Sequence, residues 1–232
     1  MKNINCRGPK CRERLVENYI IKPTAHTKLL EGQSKQSCTG QILKDTYYLF
    51  EYVNKHDPTD SGGFYCGYHA AEHFLNLIQH DGLPLFNPLI QDIITTENSN
   101  KSNENSNKTN ENNNKSINEV SAFNSSENSK DKKKWNHTAK QLYNAINLLI
   151  ICWDTPIYGP LAKYKADLEK YYYCEPFFER IKFVNRIIGK DYKNRTLTQM
   201  LNDLRKNNPK LKHFQFDLLE EKLRERGIES RF

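Results

Sequence analysis

The residues with the clearest potential for chemistry lie in one segment, Asp60-Ser61-Gly62-Gly63-Phe64-Tyr65-Cys66-Gly67-Tyr68. Its paired glycines predict a tight turn, and the apolar spacing that follows predicts a helix over 64–79. Cys66 would then lie at the start of that helix or one turn inside it. Unpaired N–H groups at a helix start favour a thiolate and can also donate to an oxyanion. The segment therefore indicates a cysteine nucleophile, with a buried structural thiol as the alternative.

A cysteine nucleophile also needs a base within reach. His80 follows closely in sequence, within Gln79-His80-Asp81-Gly82. It can serve as the base if its loop folds back towards Cys66, and otherwise it is a solvated loop histidine. Cys66 and His80 are therefore the candidate catalytic residues.

A second motif overlaps the same predicted helix. The string His69-Ala70-Ala71-Glu72-His73 has the H-x-x-E-H spacing of one class of zinc hydrolases. On a helix its two histidines would share a face and Glu72 could act as the base. The third ligand would come from a distant glutamate, with candidates Glu169, Glu175 and Glu179. The alternative is that both histidines flank an apolar helix face.

A structural zinc site is a further alternative. Cys6 and Cys11 could form half of it, completed by His26 and Cys38. The spacings are irregular, so the competing interpretation is a set of free thiols. Cys152 and Cys174 are interpreted as thiols without chemistry.

The rest of the chain predicts a core interrupted by one low-complexity segment. Residues 97–134 are nearly all Asn, Ser, Lys and Glu, which predicts a disordered insert in a surface loop. A strong helix is predicted over 136–153, with Asn136 as its N-cap. Residues 41–54 predict a helix running towards a short strand. Residues 83–89 predict a short strand or an extended segment that leaves the helix, and residues 1–40 predict irregular structure.

Residues 156–232 are predicted to form a helical, basic extension. Thr196 with Gln199, and Asp217 with Glu220, have the spacing of capping boxes. Gly227 fits the C-terminal cap of the last helix.

The Cys66 segment resembles the nucleophile segment of the pyroglutamyl peptidase I family. Asp60-x-Gly62-x-x-x-Cys66 matches in spacing the family's Asp-Ala-Gly and catalytic Cys. The order of the following segments also resembles that of the family: an aromatic helix, an apolar stretch ending at Pro88, and then Lys134-Trp135-Asn136 before a final amphipathic helix. Asn5-Cys6-Arg7 weakly resembles another of its stretches. The resemblance covers residues 5–153, about the C-terminal half of such an enzyme.

This resemblance implies an α/β fold, with an α/β/α sandwich core carrying a helical C-terminal extension. The core would comprise residues 1–96 and 135–155, the insert 97–134 and the extension 156–232. It implies a cysteine peptidase that removes N-terminal pyroglutamate from peptides and needs no cofactor. Phe86 stands where the family has its catalytic His, and no residue matches the family's Glu. We therefore expect feeble or no activity.

Charge and hydropathy leave a different class of function open. The net charge of +7 favours polyanionic partners such as nucleic acid, although a merely Lys-rich surface is the alternative. A non-enzymatic module binding nucleic acid or protein through the basic segment from Arg180 to Arg226 is therefore the rival hypothesis. No apolar stretch suffices for a membrane span and no signal-peptide core is present, so the sequence predicts a cytoplasmic protein with mostly free thiols.

Overall fold

The computed structural model of the protein describes residues 4–90, 133–153 and 156–232. The predicted insert over 97–134 lies outside these residues except for its last two positions. The described elements are, in chain order, α1 (Pro9–Asn18), β1 (Tyr19–Lys28), β2 (Thr46–Asn54), β3 (Ser61–Cys66), α2 (Tyr68–Leu77), α3 (His137–Cys152), α4 (Pro160–Lys170), α5 (Phe178–Ile188), α6 (Leu197–Asn207) and α7 (Asp217–Arg224).

The strands form one antiparallel sheet in the order β1-β2-β3. Its register places His26 opposite Tyr48 and Tyr48 opposite Cys66. A bulge between Pro23 and Ala25 in β1 accommodates the proline, which has no N–H to donate to the ladder.

Side chains that alternate along β2 separate two apolar clusters on the two faces of the sheet. Tyr47 and Leu49 join the first cluster, together with α3 and the helices after it. Tyr48, Phe50 and Tyr52 join the second cluster, together with α2 and part of α1. Helices therefore cover both faces, and the predicted α/β class with a three-layer core is confirmed.

The C-terminal helices belong to the same compact unit as the sheet. Residues 1–90 and 134–232 form that unit, and α4, α5, α6 and α7 pack around α3. Leu168, Ile181, Leu201 and Leu219 of these helices are buried in the first cluster. The segment predicted as an extension thus supplies one wall of the main core. No helix of the described ranges is long and apolar enough to cross a bilayer.

Several predicted elements can be compared with the structure. The helix over 136–153 is confirmed as α3, and the Asn136 side chain accepts a hydrogen bond from the Ala139 N–H. The Thr196–Gln199 capping box of α6 is also confirmed. The Asp217–Glu220 box is wrong, because α7 has Phe216 at its N-cap position and Asp217 bonds Gln141 instead.

The N-terminal third differs most from its prediction. Residues 1–40, expected to be irregular, contain α1 and β1, and the helix expected at the start of 41–54 is absent, since residues 46–54 form β2. The stretch 83–89 is extended: Phe86 exchanges backbone hydrogen bonds with His26 and Lys28 beside β1.

Candidate functional site

Cys66 is the last residue of β3 and not part of a helix. The following Gly67 is the N-cap of α2, so the prediction of a helix starting at residue 64 is wrong. Gly62 and Gly63 lie within the strand and make close contacts. A Cβ at Gly62 would lie 2.9 Å from the Tyr52 hydroxyl, and one at Gly63 would lie 2.6 Å from Pro156 Cβ. Because these two positions have no side chain, Tyr52 and Pro156 can pack directly against the backbone of β3.

The environment of Cys66 favours the neutral thiol. Its side chain is fully buried in the second cluster. Burial raises the pKa of Cys66 well above its ordinary value, and its hydrogen bond to Cys38 raises it further. This is the opposite of the lowered pKa that an activated nucleophile requires.

The structure does not bring His80 to Cys66. Cys66 precedes the first turn of α2 and His80 follows its last turn, and a ten-residue helix spans about 15 Å. His80 is exposed, and its Nδ1 accepts a hydrogen bond from the Gly82 N–H at 2.9 Å. Phe86, at the family's histidine position, packs against Tyr143 and Phe214 in the first cluster, whereas Cys66 belongs to the second. In this conformation Cys66 therefore has no base from His80, and the position of the family's histidine supplies none either.

Cys66 instead belongs to a group of four cysteines. The Sγ atoms of Cys38 and Cys66 lie 3.3 Å apart, and the Cys6 N–H donates to the Cys38 carbonyl oxygen at 2.6 Å. Cys6 and Cys11 share a side-chain hydrogen bond. We call Cys6, Cys11, Cys38 and Cys66 the thiol cluster. All are free thiols, and all but Cys11 are buried.

Within this cluster the two close thiols differ in acidity. The hydrogen bond from Cys66 lowers the pKa of Cys38 most, and contacts with Ser37 and the charge of Arg12 lower it further, against the opposing effect of burial. The arrangement thus favours a thiolate on Cys38 over one on Cys66. The sequence placed Cys66 in the nucleophile hypothesis and Cys38 in the structural zinc hypothesis. Their proximity could not be predicted, because it depends on the backbone bond between residue 38 and Tyr65 near the end of β3.

The predicted zinc ligands are not assembled. His26 is separated from Cys66 by Tyr48, on which its ring stacks with centroids 4.1 Å apart. Nδ1 of His73 accepts a hydrogen bond from Arg12 Nε at 3.0 Å. Glu169 and Glu175 are engaged with Lys165 and Lys222.

Among the residues that the structure describes, no group of three or more His, Cys, Asp or Glu side chains is arranged to hold a metal ion. Both zinc hypotheses, the H-x-x-E-H hydrolase and the Cys6, Cys11, His26, Cys38 site, therefore lack their ligand sets here.

A cleft of about 720 Å³ opens beside the thiol cluster. Its lining includes Arg7, Arg12, Lys44 and the start of α2 at Gly67–Ala70. We call it the basic cleft. Ser37 and Thr39, which flank Cys38, line it too, so the cleft borders the buried thiols. Its volume lies in the range typical of small-molecule sites.

The charge of the basic cleft is unbalanced. Asp45 is the one carboxylate in its lining, and it forms an ion pair with Lys28, which lies outside the lining. Within the described part of the chain, neither Arg7 nor Lys44 has an ion-pair partner. The first turn of α2 adds N–H groups that lack helical acceptors. The cleft therefore presents a surplus of positive charge and donors.

Fold and site together define a mixed α/β protein with a buried thiol cluster next to a basic cleft. The chain matches the family described as "Uncharacterised conserved protein UCP028583" over residues 4–229, and it belongs to that family. No curated protein and no solved structure matches it.

Proposed function

We propose that this protein is a binding module for phosphate-bearing ligands of nucleotide size, which occupy the basic cleft. The observation that carries the proposal is the convergence of Arg7, Arg12 and Lys44 on one cleft whose single carboxylate is already paired. Guanidinium and ammonium groups bind phosphate oxygens through charge-assisted hydrogen bonds.

Two further features suit a nucleoside phosphate. The N-terminal turn of α2 lines the cleft, and N–H groups of such a turn favour anions. Tyr68, 59% exposed, stands at the same end of the helix and offers a ring face on which a base can stack.

The C-terminal helices are a weaker candidate for anion binding than the sequence suggested. Arg180 pairs with Asp167, Arg195 with Asp191 and Asp203, and Lys222 with Glu175. These carboxylates neutralise part of the basic segment, which keeps an excess of Lys and Arg over Asp and Glu. The rival hypothesis of a polyanion-binding module therefore gains a second candidate surface, the basic cleft, whose single lining carboxylate is already paired.

The peptidase hypothesis stays a prediction, and the geometry adds to the reasons for expecting no activity. Cys66 is buried and protonated, and His80 lies beyond the far end of α2. The cytoplasmic location likewise stays a proposal.

Titration of the full chain with adenosine monophosphate, adenosine, inorganic phosphate and a short single-stranded oligonucleotide tests the proposal. We expect adenosine monophosphate to bind and uncharged adenosine not to bind. Arg7→Ala and Lys44→Ala should each weaken binding roughly tenfold, since a hydrogen bond to a charged group contributes about 1.5 kcal/mol. Calorimetry at fixed salt provides the measurement.

Lys163→Ala is the matched control, because it removes the same charge from an exposed position on α4. It should leave affinity unchanged. Equal losses in all three variants would indicate nonspecific attraction to net charge and would overturn the cleft assignment, as would the absence of binding by any phosphate. Tighter binding of the oligonucleotide than of the mononucleotide would identify a nucleic-acid strand as the source of the phosphates.

A further inference from the structure

The thiol cluster contains a pair of sulfurs already placed for bond formation. The Sγ atoms of Cys38 and Cys66 lie 3.3 Å apart, whereas a disulfide needs about 2.05 Å. The backbone holds them in this relation, because the Cys38 N–H donates to the Tyr65 carbonyl oxygen at 2.7 Å, next to Cys66. Closing the remaining gap requires side-chain rotation and small backbone shifts.

The surroundings give the two sulfurs different roles. The two sulfurs share a hydrogen bond that, together with Ser37 and the charge of Arg12, favours the thiolate on Cys38. Cys38 is thus the attacking sulfur and Cys66 the resolving one.

A small oxidant can approach from one side. Cys38 is 5% exposed, and its neighbours Ser37 and Thr39 line the basic cleft. This burial excludes protein-sized reagents, and the neighbouring cleft gives a small molecule a route towards Cys38.

We propose that Cys38 and Cys66 form a reversible redox pair that a hydroperoxide oxidises to a disulfide. The Cys38 thiolate attacks the terminal peroxide oxygen, which breaks the O–O bond, gives a sulfenic acid and releases an alcohol or water after protonation. Cys66, having lost its proton, attacks the Cys38 sulfur and expels hydroxide, which is protonated to water. Two thiols and one hydroperoxide give one disulfide, one alcohol or water, and one further water.

The disulfide would join the segment around residue 38 covalently to the end of β3. That segment forms one wall of the basic cleft, at Ser37, Thr39 and Leu43, and β3 leads directly into the α2 turn that forms another. The redox pair therefore sits where the two walls meet. This inference stands on the sulfur geometry and does not depend on which ligand the cleft binds.

Peptide mapping of the full chain tests the proposal. Reduced native protein is treated with hydrogen peroxide, free thiols are then blocked with N-ethylmaleimide in denaturant so that buried cysteines are reached, and the digest is analysed without reduction by mass spectrometry. We expect a cross-linked peptide containing Cys38 and Cys66, at a mass two hydrogens lower than the sum, which dithiothreitol abolishes. Amide exchange at residues 37–43 should slow in the oxidised protein.

Cys38→Ala and Cys66→Ala should each remove the cross-link, while Cys174→Ser, which alters an exposed thiol, should leave it intact. Should either alanine variant fail to fold, the map of the unmodified chain still decides the matter. Recovery of Cys38 and Cys66 as blocked thiols, while other cysteines become oxidised, would overturn the proposal. Stoichiometric zinc in the purified protein, whose removal exposes both thiols to labelling, would overturn it as well.

Discussion

At the scale of single residues, a thiol beside a helix start is activated only when the helix amides reach its sulfur. Cys66 precedes the N-cap of α2 by one residue, but its side chain enters the second cluster, where Cys38 is its neighbour. Burial therefore determines its protonation, and the nearby helix dipole does not compensate.

A labelling experiment checks this description of Cys66. We expect iodoacetamide at pH 6–8 to alkylate the exposed Cys174 in the native, reduced chain and to leave Cys66 unmodified until the protein unfolds, because alkylation requires an accessible thiolate. A pyroglutamyl-aminomethylcoumarin substrate should not be hydrolysed. Selective alkylation of Cys66 at pH 6, with hydrolysis that Cys66→Ala abolishes, would establish the peptidase instead.

The site could be predicted from the sequence only in part. Cys66 is chemically distinctive in the sequence, and Cys6, Cys11 and Cys38 were already grouped as possible ligands. Joining Cys66 to them requires knowing that residue 38 pairs with Tyr65, a contact across 27 positions that no local pattern contains. Arg7 and Lys44 carried no local signal, since a cleft is formed by segments that meet only in the fold.

At the scale of elements, local chemistry predicted helices better than strands. Helix caps depend on residues within one turn of each other, so they can be recognised from the local sequence. The cap at Asn136 and the capping box of Thr196 with Gln199 were both confirmed. Where β3 lies, the sequence predicted a turn at Gly62 and Gly63 and a helix from residue 64, because two adjacent glycines indicate a turn in isolation. Their role is to leave room for Tyr52 and Pro156, which are distant in sequence.

The N-cap of α3 offers a prediction at this scale. Asn136→Ala should lower the free energy of unfolding by about 1 kcal/mol, because the Ala139 N–H would lose its acceptor. Urea denaturation measures the change. Asn76→Ala is the matched control: it makes the same substitution on an exposed face of α2 and should alter stability by less than about 0.5 kcal/mol. Equal effects of the two substitutions would contradict the capping role.

At the scale of the whole molecule, the sheet and the C-terminal helices share one core. Leu219 of α7 is fully buried in the first cluster, which also contains Leu49 of β2. The density of Lys, Arg, Asp and Glu in residues 156–232 suggested a solvated appendage. Apolar residues of α4–α7 are nevertheless buried together in the first cluster, and their common burial could not be predicted without the helix packing.

Substitutions in α7 test this shared core. Leu219→Ala should destabilise the protein by about 2–5 kcal/mol and reduce the exchange protection of amides in β2, because a cavity would form in the cluster that both elements share. Leu218→Ala, at the adjacent and less buried position, should cost much less. Loss of protection confined to α7, with β2 unaffected, would show that the C-terminal helices unfold independently.

The two edge strands of the sheet, β1 and β3, bear on whether copies of the protein can associate through β-pairing. Phe86 bonds to β1 along one border, and the Cys38 N–H bonds to β3 along the other, so each outer strand already has a backbone partner within the same chain. A strand of another copy would have to displace these bonds before adding to the sheet. These bonds shorten the open edge that could template fibril growth, in a sheet whose three strands are rich in the aromatic side chains that such growth exploits.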